Sequence, residues 1–198
     1  MTRRYQVVSF PRPLAVALSA GMISLFTPPS AHAASMAFMS IDGQRSKNIE
    51  GSTAQRGREG TIGVFSVNQS VVSPRDPQSG LPTGQPSYKA LVITKEVDKA
   101  SPLLYNVLST NENLTEVVIR FWGPGLSATA RLGTEVQFYT VKLTNANISS
   151  IETKMLNVRD AVLQKQAMFE EVAFTYQTIE WTWTAGSITA TDDWQPRN

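Results

Sequence analysis

The stretch that decides the fold is Glu171-Val-Ala-Phe-Thr-Tyr-Gln-Thr-Ile-Glu-Trp-Thr-Trp183, in which apolar and polar residues alternate. The large apolar residues occupy even positions up to Tyr176 and odd positions from Ile179 onward. A period of two is typical of a β-strand with one buried face. One extra residue near Gln177 and Thr178, as in a β-bulge, would bring both sets onto one face and bend the strand. Such a bend is what a strand needs when its sheet curves into a barrel.

Other segments have the β-branched composition and the short period of strands. They are residues 61–72, 88–97, 116–122, 135–143 and 148–155, and a turn at Asn145-Ala-Asn147 is predicted to join the last two. Residues 156–169 fit neither pattern and are interpreted as a mobile connection with a helical turn. About eight short strands of this kind predict a mostly β domain, either a small barrel or a sandwich, over residues 36–194. Residues 195–198 are then a tail.

One short helix is predicted to begin at Ser101, because serine is a preferred N-cap and Pro102 suits the first helical position. Four apolar residues then fall on one face of two to three turns. They are Leu103, Leu104, Val107 and Leu108. Asn111 and Asn113 are reasonable stop signals.

A proline-rich loop separates two of the predicted strands. Residues 73–87 contain four prolines and two glycines, and proline is excluded from helix interiors and from central strands. Connections of this length are uncommon in compact domains and are usually functional or disordered.

The composition argues against the usual kinds of active site. The chain has no cysteine, and its one histidine is His32. Residues 36–198 therefore lack the imidazole and thiol groups of Ser/His/Asp and Cys/His triads and of most transition-metal sites. Three arginines lie in the first twelve residues, which leaves 15 of the 18 basic residues against all 16 acidic ones. A body this close to neutral gives no electrostatic reason to bind nucleic acid or an anionic membrane, and no cofactor is predicted.

The first 33 residues have the layout of a secretory signal peptide. A basic segment precedes the apolar run at 14–26, and Ala31-His32-Ala33 offers small residues for cleavage between Ala33 and Ala34. The apolar run is too short for a stable transmembrane anchor. Met36 offers an alternative, in which the true start lies there and the preceding residues are an upstream-start artefact.

Four internal passages and the C-terminal one together resemble the Hcp (haemolysin-coregulated protein) family of type VI secretion. They are Gln55-Arg-Gly-Arg-Glu-Gly60, Val72-Ser-Pro-Arg-Asp-Pro-Gln-Ser-Gly-Leu-Pro-Thr-Gly84, Leu91-Val-Ile-Thr-Lys-Glu-Val-Asp-Lys-Ala-Ser-Pro-Leu-Leu-Tyr-Asn106, Glu170-Glu-Val-Ala-Phe-Thr-Tyr-Gln-Thr-Ile-Glu-Trp-Thr-Trp-Thr184 and Ile188-Thr-Ala-Thr-Asp-Asp-Trp194. The resemblance covers about residues 36–194. It implies a small closed β-barrel with a flanking helix that forms hexameric rings. The rings stack into a tube inside a contractile sheath, behind a spike, and small effector proteins travel in the lumen.

The resemblance also assigns roles by position. The extended loop that reaches the neighbouring ring would contain Ser73, Pro74, Arg75, Asp76, Pro77, Gly80, Leu81, Pro82 and Gly84. Candidate subunit contacts are Lys95, Glu96, Asp98, Lys99, Trp181 and Trp183, of which the four charged residues are expected in exposed salt bridges at a strand edge. Assembly would be cytoplasmic, with export through type VI secretion; a working signal peptide would instead place the protein in the periplasm or outside the cell.

Two other functions remain as alternatives. The leader suggests an exported periplasmic or cell-surface binding module that uses the same barrel. A carboxylate-dependent hydrolase would need a pair drawn from Glu170, Glu171, Glu180, Asp192 and Asp193, although solvated positions on strands explain these residues more simply. The tryptophans could also form a sugar or base platform, but core or subunit contact is the more common role for this spacing.

Overall fold

The computed structural model describes residues 36–124 and 135–193, which contain ten β-strands and one α-helix. In chain order the elements are β1 (Met36–Gly43), β2 (Ile62–Val64), β3 (Ser66–Asn68), β4 (Val71–Val72), β5 (Ser87–Tyr88), β6 (Leu91–Glu96), α1 (Ser101–Ser109), β7 (Leu114–Pro124), β8 (Glu135–Lys154), β9 (Phe169–Trp183), a 3-10 turn (Thr184–Gly186) and β10 (Ile188–Asp193). The predicted mostly β class with one short helix is confirmed. The predicted leader, its cleavage site at Ala33 and Ala34, and the tail lie outside the described residues. No helix within the described ranges is long and apolar enough to cross a membrane.

Eight of the strands form one sheet that returns almost to its starting point. The order is β2-β1-β7-β8-β9-β6-β3, and β10 also pairs with β9. The strands at the two ends of this order, β2 and β3, are separated in sequence only by Phe65. The Phe65 N–H donates to the carbonyl of Thr94 on β6 at 2.8 Å. The chain thus passes from one end of the sheet to the other, which confirms a nearly closed barrel. The single strand predicted for residues 61–72 is divided into three, β2, β3 and β4.

The core lies inside this barrel and under α1. Its largest fully buried apolar side chains alternate along the strands, as the period of two requires. They are Met39, Ile41, Ile62, Leu91, Ile93, Leu104, Leu114, Ile119, Leu143, Phe174 and Ile179. Burying an aliphatic or aromatic side chain of this size contributes about 1.5–3 kcal/mol each before the cost of ordering the chain is counted.

The change of buried face in β9 is shared with the neighbouring strand. Tyr176 pairs with Ala146 and Ile179 pairs with Leu143. Along the chain, β9 therefore switches from even to odd buried positions at the same place where β8 switches from odd to even. The predicted one-sided bulge near Gln177 is therefore wrong, since the β8–β9 register does not shift there. The shift lies instead between Ile148 and Ser150.

The predicted turn at residues 145–147 is also wrong, because β8 continues through it. Asn145 has a φ of 50°, in the left-handed region that asparagine tolerates better than most residues. Its side-chain amide donates to Gln177 Oε1 across the strands at 2.9 Å. A single left-handed residue thus bends β8 at a place where the sequence resembles a turn.

The helix forms close to its predicted position, but its N-cap and the width of its apolar face differ from the prediction. Its N-cap is Ala100, and Ser101 lies inside the helix with its hydroxyl group turned toward a buried cluster described below. Leu104 and Val107 are buried, whereas Leu103 is 44% exposed, so the apolar face is narrower than predicted. Asn111 follows the helix with a φ of 47°, which suits its predicted role as a stop signal.

Candidate assembly surfaces

The proline-rich segment forms an ordered hairpin that continues the β3–β6 pair beyond the barrel. Asn68 pairs with Val92 in the barrel, then β4 pairs with β5, and Arg75 forms a bridge with Pro82 nearer the tip. The hairpin therefore leaves the barrel at the Leu91 end of β6. It carries all nine residues assigned to the extended loop, and all of them are exposed except Asp76, which is half-buried.

The tip of the hairpin is closed by one aspartate. Oδ1 of Asp76 accepts hydrogen bonds from the N–H of Ser79 at 2.6 Å and from its hydroxyl group at 2.7 Å. These bonds lower the pKa of the Asp76 carboxyl group, and the bond from the Ser79 backbone has the largest effect. Gly80 follows with a φ of 71°, which glycine adopts without strain. The aspartate and the glycine fix the turn that the prolines alone only permit.

The hairpin exposes apolar side chains despite its order. Val71 is 44% exposed, Val72 is 48% exposed and Leu81 is 65% exposed. At the base, Tyr88 packs edge-on against Tyr176 with ring centroids 6.4 Å apart and bonds to Asp192. The base is thus anchored to the barrel while the outer part extends away from it.

Lys95, expected in an exposed salt bridge, is fully buried, and that expectation is wrong. Its ammonium group donates at 2.8 Å to Glu170 and to Asp98, at 2.7 Å to the Glu96 carbonyl and at 3.1 Å to the Ser101 hydroxyl group. Glu170 is also fully buried and accepts a second bond, from Ser101, at 2.7 Å. The Lys95 side chain therefore holds β6, β9 and the start of α1 together.

The other charged candidates lie at the protein surface. Glu96 and Lys99 are exposed, and Asp98 is half-buried because one of its oxygens accepts from Lys95. Lys99 pairs with Glu50 at 3.0 Å, with about half of each side chain exposed. The expectation of exposed charge at this edge therefore fits Glu96 and Lys99.

The two tryptophans differ in environment. Trp181 is half-buried and its indole N–H donates to Gln69 Oε1 at 3.0 Å, which links β9 to the chain just before the hairpin. Trp183 is 37% exposed and packs edge-on against Phe138, with ring centroids 5.9 Å apart. Trp183 is thus the one of the pair that retains a sizeable accessible surface.

Two of the carboxylates named for a hydrolase, Glu170 and Glu171, have structural partners. Glu170 belongs to the buried cluster, and Glu171 pairs with Lys154 at 3.0 Å. The same Glu171 contact raises the pKa of Lys154. Among residues 36–124 and 135–193, no three Asp, Glu, His or Cys side chains are grouped as a metal site would require.

Sequence reasoning missed an arginine that is enclosed by aromatic rings. The guanidinium group of Arg58 lies 4.7 Å from the Phe38 ring centroid and 3.9 Å from that of Trp122, which is cation–π geometry. Its Nη1 is 2.9 Å from Oε2 of Glu135. The sequence feature that contains this residue is Gln55-Arg-Gly-Arg-Glu-Gly60. Nothing in this passage distinguishes its two arginines, although only Arg58 is buried.

A second missed residue is Glu112, a buried acid just after α1. Its carboxylate accepts from the backbone N–H groups of Ser46 and Arg45, each at 2.7 Å. The bond from Ser46 is the largest cause of a lowered pKa for Glu112. This side chain ties the turn after β1 to the end of the helix.

Comparison with known proteins gives consistent similarities over the described body. A family model described as "Type VI secretion system effector, Hcp" matches residues 38–183. A Pseudomonas aeruginosa protein named "Major exported protein" is 39% identical over 171 residues, which is 82% of this chain and 96% of that protein. Among solved structures, one titled "Crystal structure of Hcp protein" has a TM-score of 0.74 at 29% identity and covers 83% of this chain and 100% of its own. Secreted protein Hcp3 from Pseudomonas aeruginosa has a TM-score of 0.64 at 31% identity, covering 82% and 100%.

Proposed function

The chain belongs to the Hcp family of type VI secretion proteins, and from this premise we propose that it is a self-assembling tube subunit. Six copies form a ring, and rings stack head to tail. Sheath, spike and small effector proteins are its further partners, and no cofactor takes part. The role is structural and not catalytic.

The ordered hairpin is the observation that carries the proposal. It projects from a nearly closed barrel and exposes Val71, Val72 and Leu81 in one short segment. Several exposed apolar side chains on one projecting segment are typical of a surface that a partner covers. A contact between different surfaces of identical copies is a heterologous interface. One such interface can close the copies into a ring, and a second one can join the rings into an open stack. The hairpin residues are proposed for the stack.

Charged and aromatic side chains at the barrel surface are proposed for the ring contact. Glu96, Lys99 and Trp183 are accessible, and Asp98 is partly so. Lys95 is proposed to act through Asp98, because its ammonium group holds that carboxylate at 2.8 Å. Trp181 supports the base of the hairpin through Gln69.

Negative-stain electron microscopy and light scattering of the purified full chain test this proposal. Ring particles of about six times the monomer mass are expected, with stacks at high concentration. Val71→Ser/Val72→Ser/Leu81→Ser should leave rings intact but remove stacks. The matched control is Ile188→Ser, which removes an apolar side chain that is 68% exposed on β10 and should keep the stacks. A full chain that stays monomeric at high concentration would contradict the proposal.

The alternative of an exported binding module rests on the leader pattern in residues 1–33. We propose residues 36–194 as the assembling domain, residues 195–198 as a tail, and cytoplasmic assembly before type VI secretion. Sequencing the N-terminus of the protein made in cells separates the two. A start at Met36 agrees with cytoplasmic assembly, whereas a start at Ala34 favours signal-peptide export and the binding module.

A further inference from the structure

A polar cleft lies where β9 changes its partner along one side. The pairing with β6 ends at Leu91 with Phe174, and the pairing with β10 ends at Asp193 with Thr178. Between these two points, residues 175–177 of β9 pair on that side with no named strand of the described ranges. A cleft of about 340 Å³ lies at this interruption, next to the base of the hairpin.

The cleft is lined by residues from three stretches of the chain: the bend in β8, the interrupted part of β9, and the hairpin arm that returns to β6. Its polar lining residues are Tyr88, Lys89, Asn145, Asn147, Thr175 and Gln177. We call the space that they enclose the amide cleft, because three of the six side chains are amides. The passage that the sequence presents as a turn, Asn145-Ala-Asn147, thus supplies two of these amides.

Two of the amides hold each other in a fixed orientation. Nδ2 of Asn145 donates to Oε1 of Gln177 at 2.9 Å. An amide side chain has one acceptor oxygen and an NH₂ group with two donors. The Asn145 oxygen therefore remains as an acceptor and the Gln177 nitrogen as a donor, and neither bonds to another group of the described residues. The pair presents a donor and an acceptor side by side, already ordered before any ligand arrives.

The third amide adds another acceptor. Nδ2 of Asn147 donates to the Glu112 carbonyl at 3.3 Å, which leaves the Asn147 oxygen available. The aromatic part of the lining is also fixed, because Tyr88 packs edge-on against Tyr176 and bonds to Asp192. The amide cleft thus combines an ordered aromatic ring with a small number of placed polar atoms, which is typical of small-molecule sites.

The charge and the size of the cleft limit the ligand. Among the described residues that line it, Lys89 alone is charged, and its side chain is exposed. One exposed ammonium group is a weak basis for selecting an anion, so a neutral ligand fits the three amides better. Small-molecule sites have volumes of about 300–1,000 Å³. A cleft of about 340 Å³ lies at the lower end of that range and suits a single ring.

We propose that the amide cleft binds a neutral sugar ring through two neighbouring hydroxyl groups. A hydroxyl group both donates and accepts. One hydroxyl group donates to the Asn145 oxygen, and its neighbour accepts from the Gln177 nitrogen. The apolar face of the sugar ring packs against Tyr88. This function is additional to assembly, because no residue of the amide cleft belongs to the proposed stack or ring contacts.

Saturation-transfer NMR of the full chain tests the proposal, with methyl glucoside, methyl mannoside and methyl galactoside as probes. At least one of them should receive saturation from the protein and titrate with a dissociation constant in the millimolar range. The matched control probe is tetrahydropyran-methanol, which has the same ring but no neighbouring hydroxyl groups, and it should receive none.

Gln177→Glu tests the assigned donor. The new carboxylate can still accept from Asn145 but has no N–H group, so affinity for the glycoside should fall at least about fivefold. The matched control is Gln137→Glu on β8, where the amide donates to Thr140 at 2.8 Å and does not line the cleft. Its affinity should equal that of the unsubstituted chain, and urea unfolding of both variants checks that they are folded.

A linear trisaccharide of the preferred sugar separates two sources of the ligand. Binding at least as tight as that of the methyl glycoside supports the end of a glycan chain as the ligand, and weaker binding supports a free sugar. The proposal is overturned if no glycoside receives saturation, if the control probe receives as much, or if Gln177→Glu binds as tightly as Gln137→Glu.

Discussion

Removal of the Lys95 ammonium group should destabilise this protein more than any other single charge change at a strand. Lys95→Met keeps most of the side-chain volume but removes the bonds to Glu170, Asp98 and Ser101. The Glu170 carboxylate would remain fully buried without its counter-charge. Breaking a buried pair from one side typically costs about 3–5 kcal/mol. Domains are usually stable by only about 5–15 kcal/mol, so a large share of the free energy of unfolding would be lost.

Urea unfolding followed by tryptophan fluorescence measures this loss. The full chain and its variants are compared at one fixed protein concentration, because assembly also stabilises the folded state. The control is Lys142→Met, which breaks the 3.0 Å pair with Glu116, where the side chains are 38% and 42% exposed. An exposed pair of this kind contributes at most about 1 kcal/mol.

The double variant Lys95→Met/Glu170→Met decides between an ionic cause and simple damage to packing. Removing both charges leaves no unpaired ion in the core, so most of the lost stability should return. The reasoning is refuted if Lys95→Met costs no more than Lys142→Met, or if the double variant is as unstable as the two single changes added together.

Three further changes have expected effects on stability. Glu112→Gln should lower the free energy of unfolding by about 1.5–3 kcal/mol at pH 7. Since hydrogen bonds from Ser46 lower the pKa of Glu112, the wild-type protein should keep this extra stability above the ordinary pKa of about 4.3. The extra stability should shrink as the pH falls through the lowered value, and urea unfolding at pH 7 and pH 3 checks both. Gly51→Ala should destabilise strongly, because its Cβ would lie 2.5 Å from a backbone oxygen, whereas Gly63→Ala meets nothing closer than 3.8 Å; thermal melts of the two variants compare them directly. Arg58→Lys should lower the free energy of unfolding in urea by about 1–2 kcal/mol, because a compact ammonium group replaces a planar group packed over two aromatic rings. A loss of stability as small as that of Lys142→Met would contradict a contribution from this stacking.

The alternation of apolar residues predicted most of the strands, because a period of two is a local pattern. It left a barrel and a sandwich equally open, and only the family resemblance implied the closed barrel. The failure at Asn145 has a physical reason. An asparagine in the left-handed region is a common turn signal, but here the neighbouring strands keep their pairing on both sides of it. Whether such a residue turns the chain back or only bends it is decided by the partners on either side, which are distant in sequence.

The candidate site could be predicted only in part for a related reason. Proline marked the hairpin, because its effect on the backbone is local. The burial of Lys95 could not be predicted in the same way, since its partner Glu170 lies 75 residues further along the chain. A lone lysine near the end of a strand has the pattern of an exposed residue until the register places a carboxylate opposite it.

Native mass spectrometry of the full chain, without affinity tags, tests the central claim most directly. The account predicts a dominant species of about six times the monomer mass of 21.7 kDa, with multiples of that species as the concentration rises. A spectrum that contains only the monomer across the same concentrations would contradict the claim that this protein works by assembling with itself.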